Sequence, residues 1–164
     1  MNSLWDDKNA AQQPGDLAQR VYTSRLLGAD KSLVMHGGGN TSVKMTETNL
    51  LGEDEDLLYV KGSGWDLATI DAAGLPAVRL APLRRLRGRP SLDDEEMVRI
   101  LRHCLLDPGA PTPSVETLLH AFLPHKYVDH THATAVLSLA DQPDAAERLA
   151  DVYGGRVGIV PYVM

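Results

Sequence analysis

A single cysteine, Cys104, excludes an internal disulfide, and a chain without one fits a reducing compartment. Cys104 falls with Ile100, Leu101 and Leu105 on one helical face, which marks it as core rather than as a nucleophile. An excess of positive charge is also missing. Against 16 lysines and arginines stand 22 acidic residues, a net charge of −6, which argues against a general affinity for nucleic acid or an anionic membrane. No apolar run approaches membrane-spanning length, and the N-terminal Met-Asn-Ser-Leu-Trp-Asp-Asp-Lys8 has neither the basic start nor the apolar centre of a leader. The expectation is a cytoplasmic protein with neither membrane nor nucleic acid as partner. Two phosphate signatures are absent as well: no Gly-x-x-x-x-Gly-Lys-Ser/Thr occurs, and no Gly-x-Gly-x-x-Gly opens a helix.

What remains, 164 residues with 43% hydrophobic content, suits one domain with a sizeable core. Residues 1–13 are polar and without period and read as a flexible N-terminal arm, with the domain proper over 14–164. Leu17, Ala18, Val21, Leu26 and Leu27 predict a helix from Pro14 that stops at Gly28. A strand over Ser32–His36 runs into Gly37-Gly-Gly-Asn40 and out through Thr41–Met45, the pattern of a hairpin. The acidic stretch from Glu47 to Asp56 reads as a solvated loop before a strand at Leu57–Lys61, and Gly62-Ser-Gly64 makes a second turn. A further strand is expected at Ala77–Leu80. The basic run Arg84 to Arg89 beside Asp93-Asp-Glu-Glu96 reads as a solvated surface, its carboxylates complementing the dipole of the helix that follows. A second helix is expected near Thr112-Pro-Ser114, capped by Thr112 or Ser114 and breaking at Pro124. Helices at 133–140 and 144–153 and a strand at Val157–Val160 close the chain. Hairpins first and helices later predict an α/β (α+β-like) fold, a largely antiparallel or mixed sheet covered by helices.

Chemistry gathers in three places. His130 and His132 stand one residue apart in the run Tyr127-Val-Asp-His-Thr-His132, whose β-branched and aromatic residues favour strand. On a strand they point the same way, whereas a helix would splay them. Such a pair is half of a zinc-type site, or equally two strand histidines satisfied by hydrogen bonds. The turns Gly37–Ser42 and Gly62–Gly64 can bring backbone amides to an anion, with Asn40, Ser42 and Ser63 as side-chain donors, though ordinary hairpin turns look much the same. At the helix start, Pro113-Ser-Val-Glu116 offers Ser114 and free amides to an anion. Glu116 and His120, four apart, form either a surface pair or an acid/base beside the histidine strand. His36, His103 and His125 do not offer an obvious third metal ligand.

The order Gly39-Asn-Thr-Ser42, Lys61-Gly-Ser-Gly64, Pro113-Ser-Val-Glu116, His130-Thr-His132 resembles the class II aldolase/adducin family. The wider run from Pro113 to Lys126 is similar to the aldolase domain of bifunctional rhamnulose-1-phosphate aldolase/alcohol dehydrogenases. The resemblance covers most of the chain from about Gln19, and four motifs in order are more specific than any one. It implies a three-layer α/β/α fold around a mainly antiparallel sheet. It implies phosphate contacts from Asn40, Ser63, Gly64 and Ser114, Glu116 as the catalytic acid/base, and His130 and His132 as ligands of Zn2+ or another divalent metal. The implied activity is a lyase's: cleavage of a deoxyketose 1-phosphate such as rhamnulose 1-phosphate to dihydroxyacetone phosphate and lactaldehyde, the metal stabilising the enediolate as a Lewis acid. A sugar-phosphate epimerase or dehydratase on the same scaffold, and a non-catalytic adducin-like assembly module, stand as alternatives. A homo-oligomer, a tetramer in related aldolases, and a C-terminal dehydrogenase domain in the parent protein are further implications.

Three departures accompany the resemblance. Val115 stands where a second small hydroxyl residue is usual, and Lys61 adds an ammonium beside the phosphate turn. The family's third zinc histidine lies well beyond the His-x-His, and no histidine follows His132 here. With the apolar end Val157–Met164, this gives the expectation of a domain truncated at its C-terminus.

Overall fold

The computed structural model describes residues 3–161. The hairpin at its centre closes around a turn held by Asn49. The Asn49 side-chain oxygen accepts from the amides of Leu51 and Glu53 at 2.9 and 3.1 Å. Strands β1 (Asn40–Thr48) and β2 (Asp54–Val60) pair antiparallel from Ser42 opposite Val60 to Thr48 opposite Asp54. β3 (Ala77–Arg79) adds to β2 and β4 (Tyr127–His130) to β1, so the four-stranded order is β3-β2-β1-β4, antiparallel throughout.

Side-chain alternation divides the sheet into two covered faces. On one face Thr41 takes a 2.7 Å hydrogen bond with Ser24 of helix α2 (Gly15–Ala29), and Arg20 of the same helix reaches Asp129 at 2.7 Å. Val34, Leu67, Ile70 and Leu75 fill the space on that side with Leu17, Val21 and Tyr59. On the other face Leu58, Val60 and Val78 pack against Leu80 and Leu83 of α3 (Leu80–Arg85), Leu101 of α4 (Asp94–His103) and Ala121 of α5 (Thr117–Phe122). Cys104 lies in this second core, as its helical periodicity requires. The result is the expected helix–sheet–helix arrangement. Asp93 caps α4 by accepting from the Glu96 amide at 2.7 Å, and Arg89 pairs with Glu96 and Arg84 with Asp56.

Several local expectations are corrected. Ser32–His36 is not a strand: the amides of Leu33 and Val34 turn back to the Asp30 carbonyl. The glycine cluster therefore leads into β1 rather than closing a hairpin. The acidic stretch is mostly strand, because Thr46 and Thr48 donate across the ladder to Asp56 and Asp54 at 2.8 and 3.2 Å and give the carboxylates partners. Within residues 1–13, a short helix α1 (Asp7–Ala11) forms under an Asp6 cap and buries Ala10. The second helix starts at Thr117, not near Thr112–Ser114, because Pro113 is bridged to Gly62 and the Ser114 amide donates to the Lys61 carbonyl at 3.0 Å. Val157–Val160 forms no strand; that segment is exposed beyond α6 (Thr134–Ala140) and α7 (Ala145–Tyr153), which pack on each other. Among the described residues no helix is long and apolar enough to cross a membrane.

Gly28 lies inside α2 rather than ending it, and it is buried. A Cβ there would stand 2.1 Å from the Ala68 amide nitrogen and 2.5 Å from the Leu67 carbonyl carbon. Both neighbours are backbone, so the clash can be relieved only by moving the helix. Gly28→Ala is expected to destabilise the fold by about 3 kcal/mol, the upper end for overpacking, read as a lowered midpoint in urea unfolding.

Candidate metal centre

The register of β1 against β4 creates the site. Asn40 lies directly opposite His130 in the ladder, so both side chains project from the same face, the one α5 covers. His132 lies just past the end of β4, with its amide bonded to the Leu33 carbonyl at 2.9 Å. The two imidazoles lie with centroids 4.8 Å apart and their planes tilted by 57°. Glu116, in the turn before α5, meets them from the opposite side, its Oε1 3.5 Å from His130 Nδ1. One donor atom from each of Glu116, His130 and His132 falls within 4.8 Å of the others.

The loop before β1 walls this cluster. Gly39 has φ +65°, and a Cβ would strike Val34 at 2.5 Å and the His130 carbonyl oxygen at 2.8 Å; only glycine brings the loop this close. Lys61, only 3% exposed, ties the loop down by donating to the Gly37 carbonyl at 3.0 Å. Burial lowers the pKa of its ammonium, against the pull of Glu116 and Asp66.

The four residues expected at a phosphate divide into two pairs. Ser63 and Gly64 are exposed on their turn, and the Ser63 amide donates to Thr112 at 2.8 Å, which sets that turn beside the Pro113–Glu116 segment. Asn40 and Ser114 are buried, 2% and 6% exposed, and their side chains turn to the carboxylate. Ser114 Oγ donates to Glu116 Oε2 at 2.5 Å, and Asn40 Nδ2 donates to the same oxygen while lying 3.3 Å from both Ser114 Oγ and His130 Nδ1. His120 and Ser42 complete the network from beneath. His120 Nε2 meets Asn40 Oδ1, and Ser42 Oγ lies 2.8 Å from His120 Nδ1.

The electrostatics suit a cation. Burial pushes the Glu116 carboxyl up, but the Ser114 hydroxyl, His130, the Asn40 amide and His120 outweigh it and leave the pKa below the usual value. Desolvation lowers His130 despite Glu116, assisted by His132. The cluster sets a carboxylate beside two imidazoles, the donor set of a divalent zinc-type centre. His36, His103 and His125 are exposed and outside it.

Residues 18–164 match the family model of the class II aldolase and adducin N-terminal domain. The chain belongs to that family. A Bacillus subtilis relative, the uncharacterized oxidoreductase YuxG, is 46% identical over 160 residues, which is 98% of this chain and 23% of the relative. The N-terminal class II aldolase domain of a conserved protein from Thermoplasma acidophilum superposes with a TM-score of 0.90 at 40% identity, over 99% of this chain and 74% of that one. The chain thus spans about a quarter of the curated relative's length.

In this class II aldolase/adducin domain the His120 imidazole is a stability element of its own. It is completely buried, and desolvation, with His130 adding to it, pushes its pKa down to about 4 from 6.5. The unfolded chain therefore binds the extra proton first, so this contribution is complete above pH 6.5 and is lost as pH falls towards 4. The loss is on the order of 3 kcal/mol, and His120→Gln is expected to flatten that part of the stability–pH curve in urea titrations.

Proposed function

We propose that this domain is a metal-dependent lyase of the aldolase type, with Glu116, His130 and His132 holding a divalent cation, Zn2+ by its donor preference. The convergence of those three donors within 4.8 Å carries the reading, and membership of the class II aldolase/adducin family supports it. A cation bound there supplies Lewis acidity to a substrate carbonyl.

The chain's own residues supply the rest. Ser63 and Gly64 grip a phosphate beside the cluster, and the Ser114 hydroxyl, turned to Glu116 in the free protein, rotates to join them, which positions the sugar carbons over the cluster. Asn40, the fourth residue assigned to the phosphate, reaches it from the Glu116 side. When the bond between C3 and C4 of a ketose 1-phosphate breaks, the C4 hydroxyl gives up its proton, the C4 oxygen becomes an aldehyde and the electron pair passes to C3. Glu116, ionised at the start and at the cluster, takes up that proton and returns it to C3. The substrate is a deoxyketose 1-phosphate of the rhamnulose type, giving dihydroxyacetone phosphate and lactaldehyde. The close run Pro113–Lys126 favours this over an epimerase or dehydratase, and a scaffold module of the adducin kind has no need of a carboxylate converging with two imidazoles.

The Bacillus subtilis relative is named an oxidoreductase. A dehydrogenase domain joined to an aldolase domain fits that name, since it would consume the released lactaldehyde. We infer a cytoplasmic homo-oligomer, the assembly that the resemblance to class II aldolases implies.

The test is direct. Incubated with zinc and rhamnulose 1-phosphate, the protein is expected to release dihydroxyacetone phosphate, read with a glycerol-phosphate dehydrogenase coupling assay. Epimerised or dehydrated sugar phosphate in its place would overturn the aldolase assignment.

A further inference from the structure

His120 is wholly buried on the inward side of α5, yet it touches no donor of the proposed centre through a hydrogen bond of its own. Its two ring nitrogens are both engaged, Nδ1 with Ser42 and Nε2 with Asn40. The order of protons along this chain follows from elementary chemistry. Glu116 as a carboxylate only accepts, so Asn40 must face it with Nδ2 and face His120 with Oδ1. Oδ1 also only accepts, so the proton of a buried neutral imidazole sits on Nε2. Nδ1 is then bare, and the Ser42 hydroxyl donates to it. Every donor points one way: Ser42 to His120, His120 to Asn40, Asn40 to Glu116. Turning the Asn40 amide over would set N–H against N–H at His120 and oxygen against oxygen at Glu116.

We propose that His120 is a positioning residue for Glu116, holding it through Asn40 in the orientation that faces His130 and His132. This rests on the reading that Glu116 and the two histidines bind a divalent cation. An aliphatic side chain would fill the same space beside Ala121 without leaving polar atoms to satisfy, whereas a buried imidazole is stable only with both nitrogens paired. Partners that orient metal ligands affect affinity without touching the ion.

Three variants test this in the intact protein: His120→Leu, His120→Gln and Ser42→Ala. Co2+ affinity is measured by its visible absorption against a competing chelator. In metal-free protein, NMR follows exchange of the Asn40 side-chain amide protons. His120→Leu is expected to weaken Co2+ by about 10- to 100-fold and to speed Asn40 exchange markedly. His120→Gln restores both, because its amide nitrogen can donate to Asn40 and its oxygen accept from Ser42. Should His120→Leu fail to fold, Ser42→Ala carries the test, since it releases Nδ1 alone and is expected to shift both readouts the same way. A His120→Leu protein that melts earlier but binds Co2+ as tightly and holds Asn40 as firmly would overturn the proposal, as would a Gln variant no better than Leu. If the unmutated protein binds no Co2+ while Asn40 still loosens in His120→Leu, the metal reading fails and the positioning of Glu116 stands.

Discussion

Replacing either His130 or His132 by alanine is expected to abolish stoichiometric zinc in the purified protein, with affinity falling by more than about 100-fold, beyond the loss typical of outer partners. The size follows from the ligand count. Glu116, His130 and His132 form the only group of at least three metal-donor residues among the described residues, and a zinc site of this kind uses three protein ligands. Either deletion leaves a carboxylate and one imidazole, a pair any exposed surface can offer. The fold should survive both changes. His132 is exposed, and its structural bond is made by its backbone amide. The strand pairing of His130 with Asn40 is made by the backbone, and of hydrogen bonds the alanine removes only the 3.3 Å contact to Asn40 Nδ2. Metal analysis after dialysis, with circular dichroism as the folding check, is therefore a clean measurement, and His103→Ala, exposed at the end of α4, is the control expected to keep its zinc. Unchanged metal in both variants would sink the assignment.

That centre was half legible in the sequence, and the physical reason is the range of the interactions involved. The alternation rule placed His130 and His132 on one side from their spacing alone, and the heavy β-branched content around them selected strand. Local pattern also located Glu116 at a helix start and foresaw its proximity to His120. What joins these pieces is long-range: the register that sets Asn40 opposite His130, and the bridge from Gly62 to Pro113 that lays the Ser63 turn against Ser114. No local periodicity encodes either. Of the two readings of Glu116 and His120, the surface pair is replaced by a buried link through Asn40, because α5 starts only at Thr117 and leaves Glu116 before the first full turn. Ser42 looked like a turn donor for an anion and is instead a buried partner of His120.

The misread elements share a cause as well. Ser32–His36 and Val157–Val160 are short apolar runs, and such a run specifies burial before it specifies strand. Val34 does enter the α2-side core, through a turn set by Asp30. Thr46 and Thr48 show the converse, since an acidic stretch becomes strand once hydroxyls on the neighbouring strand satisfy it. Gly28 could be read as a stop only while Ala68 was unseen.

Glu116→Gln, assayed at saturating zinc, tests proton transfer by this group. The amide has the shape of the carboxylate, and its oxygen can still accept from Asn40 Nδ2 and Ser114 Oγ, the two donors that hold Oε2. The hydrogen bonds to Asn40 and Ser114 are thereby kept, but the amide nitrogen replaces Oε1 on the side facing His130, so metal binding weakens, and the group can no longer take up and return a proton. The expected effect is a fall of about 10²- to 10⁴-fold in turnover, the usual worth of a general acid/base. KM for the sugar phosphate should change little, because Ser63, Gly64 and Ser114 remain. Exchange of the C3 proton of dihydroxyacetone phosphate into D2O, followed by proton NMR at saturating zinc, isolates the step from aldehyde chemistry and from weakened metal binding. The pH profile adds a second signature. Although burial opposes it, Ser114, His130, Asn40 and His120 hold the Glu116 pKa below its usual 4.5, so the carboxylate limb of the wild-type profile should lie below that pH and vanish in the variant. Exchange in Glu116→Gln at close to the wild-type rate, with zinc bound, would move the proton to another group and leave Glu116 as a ligand alone.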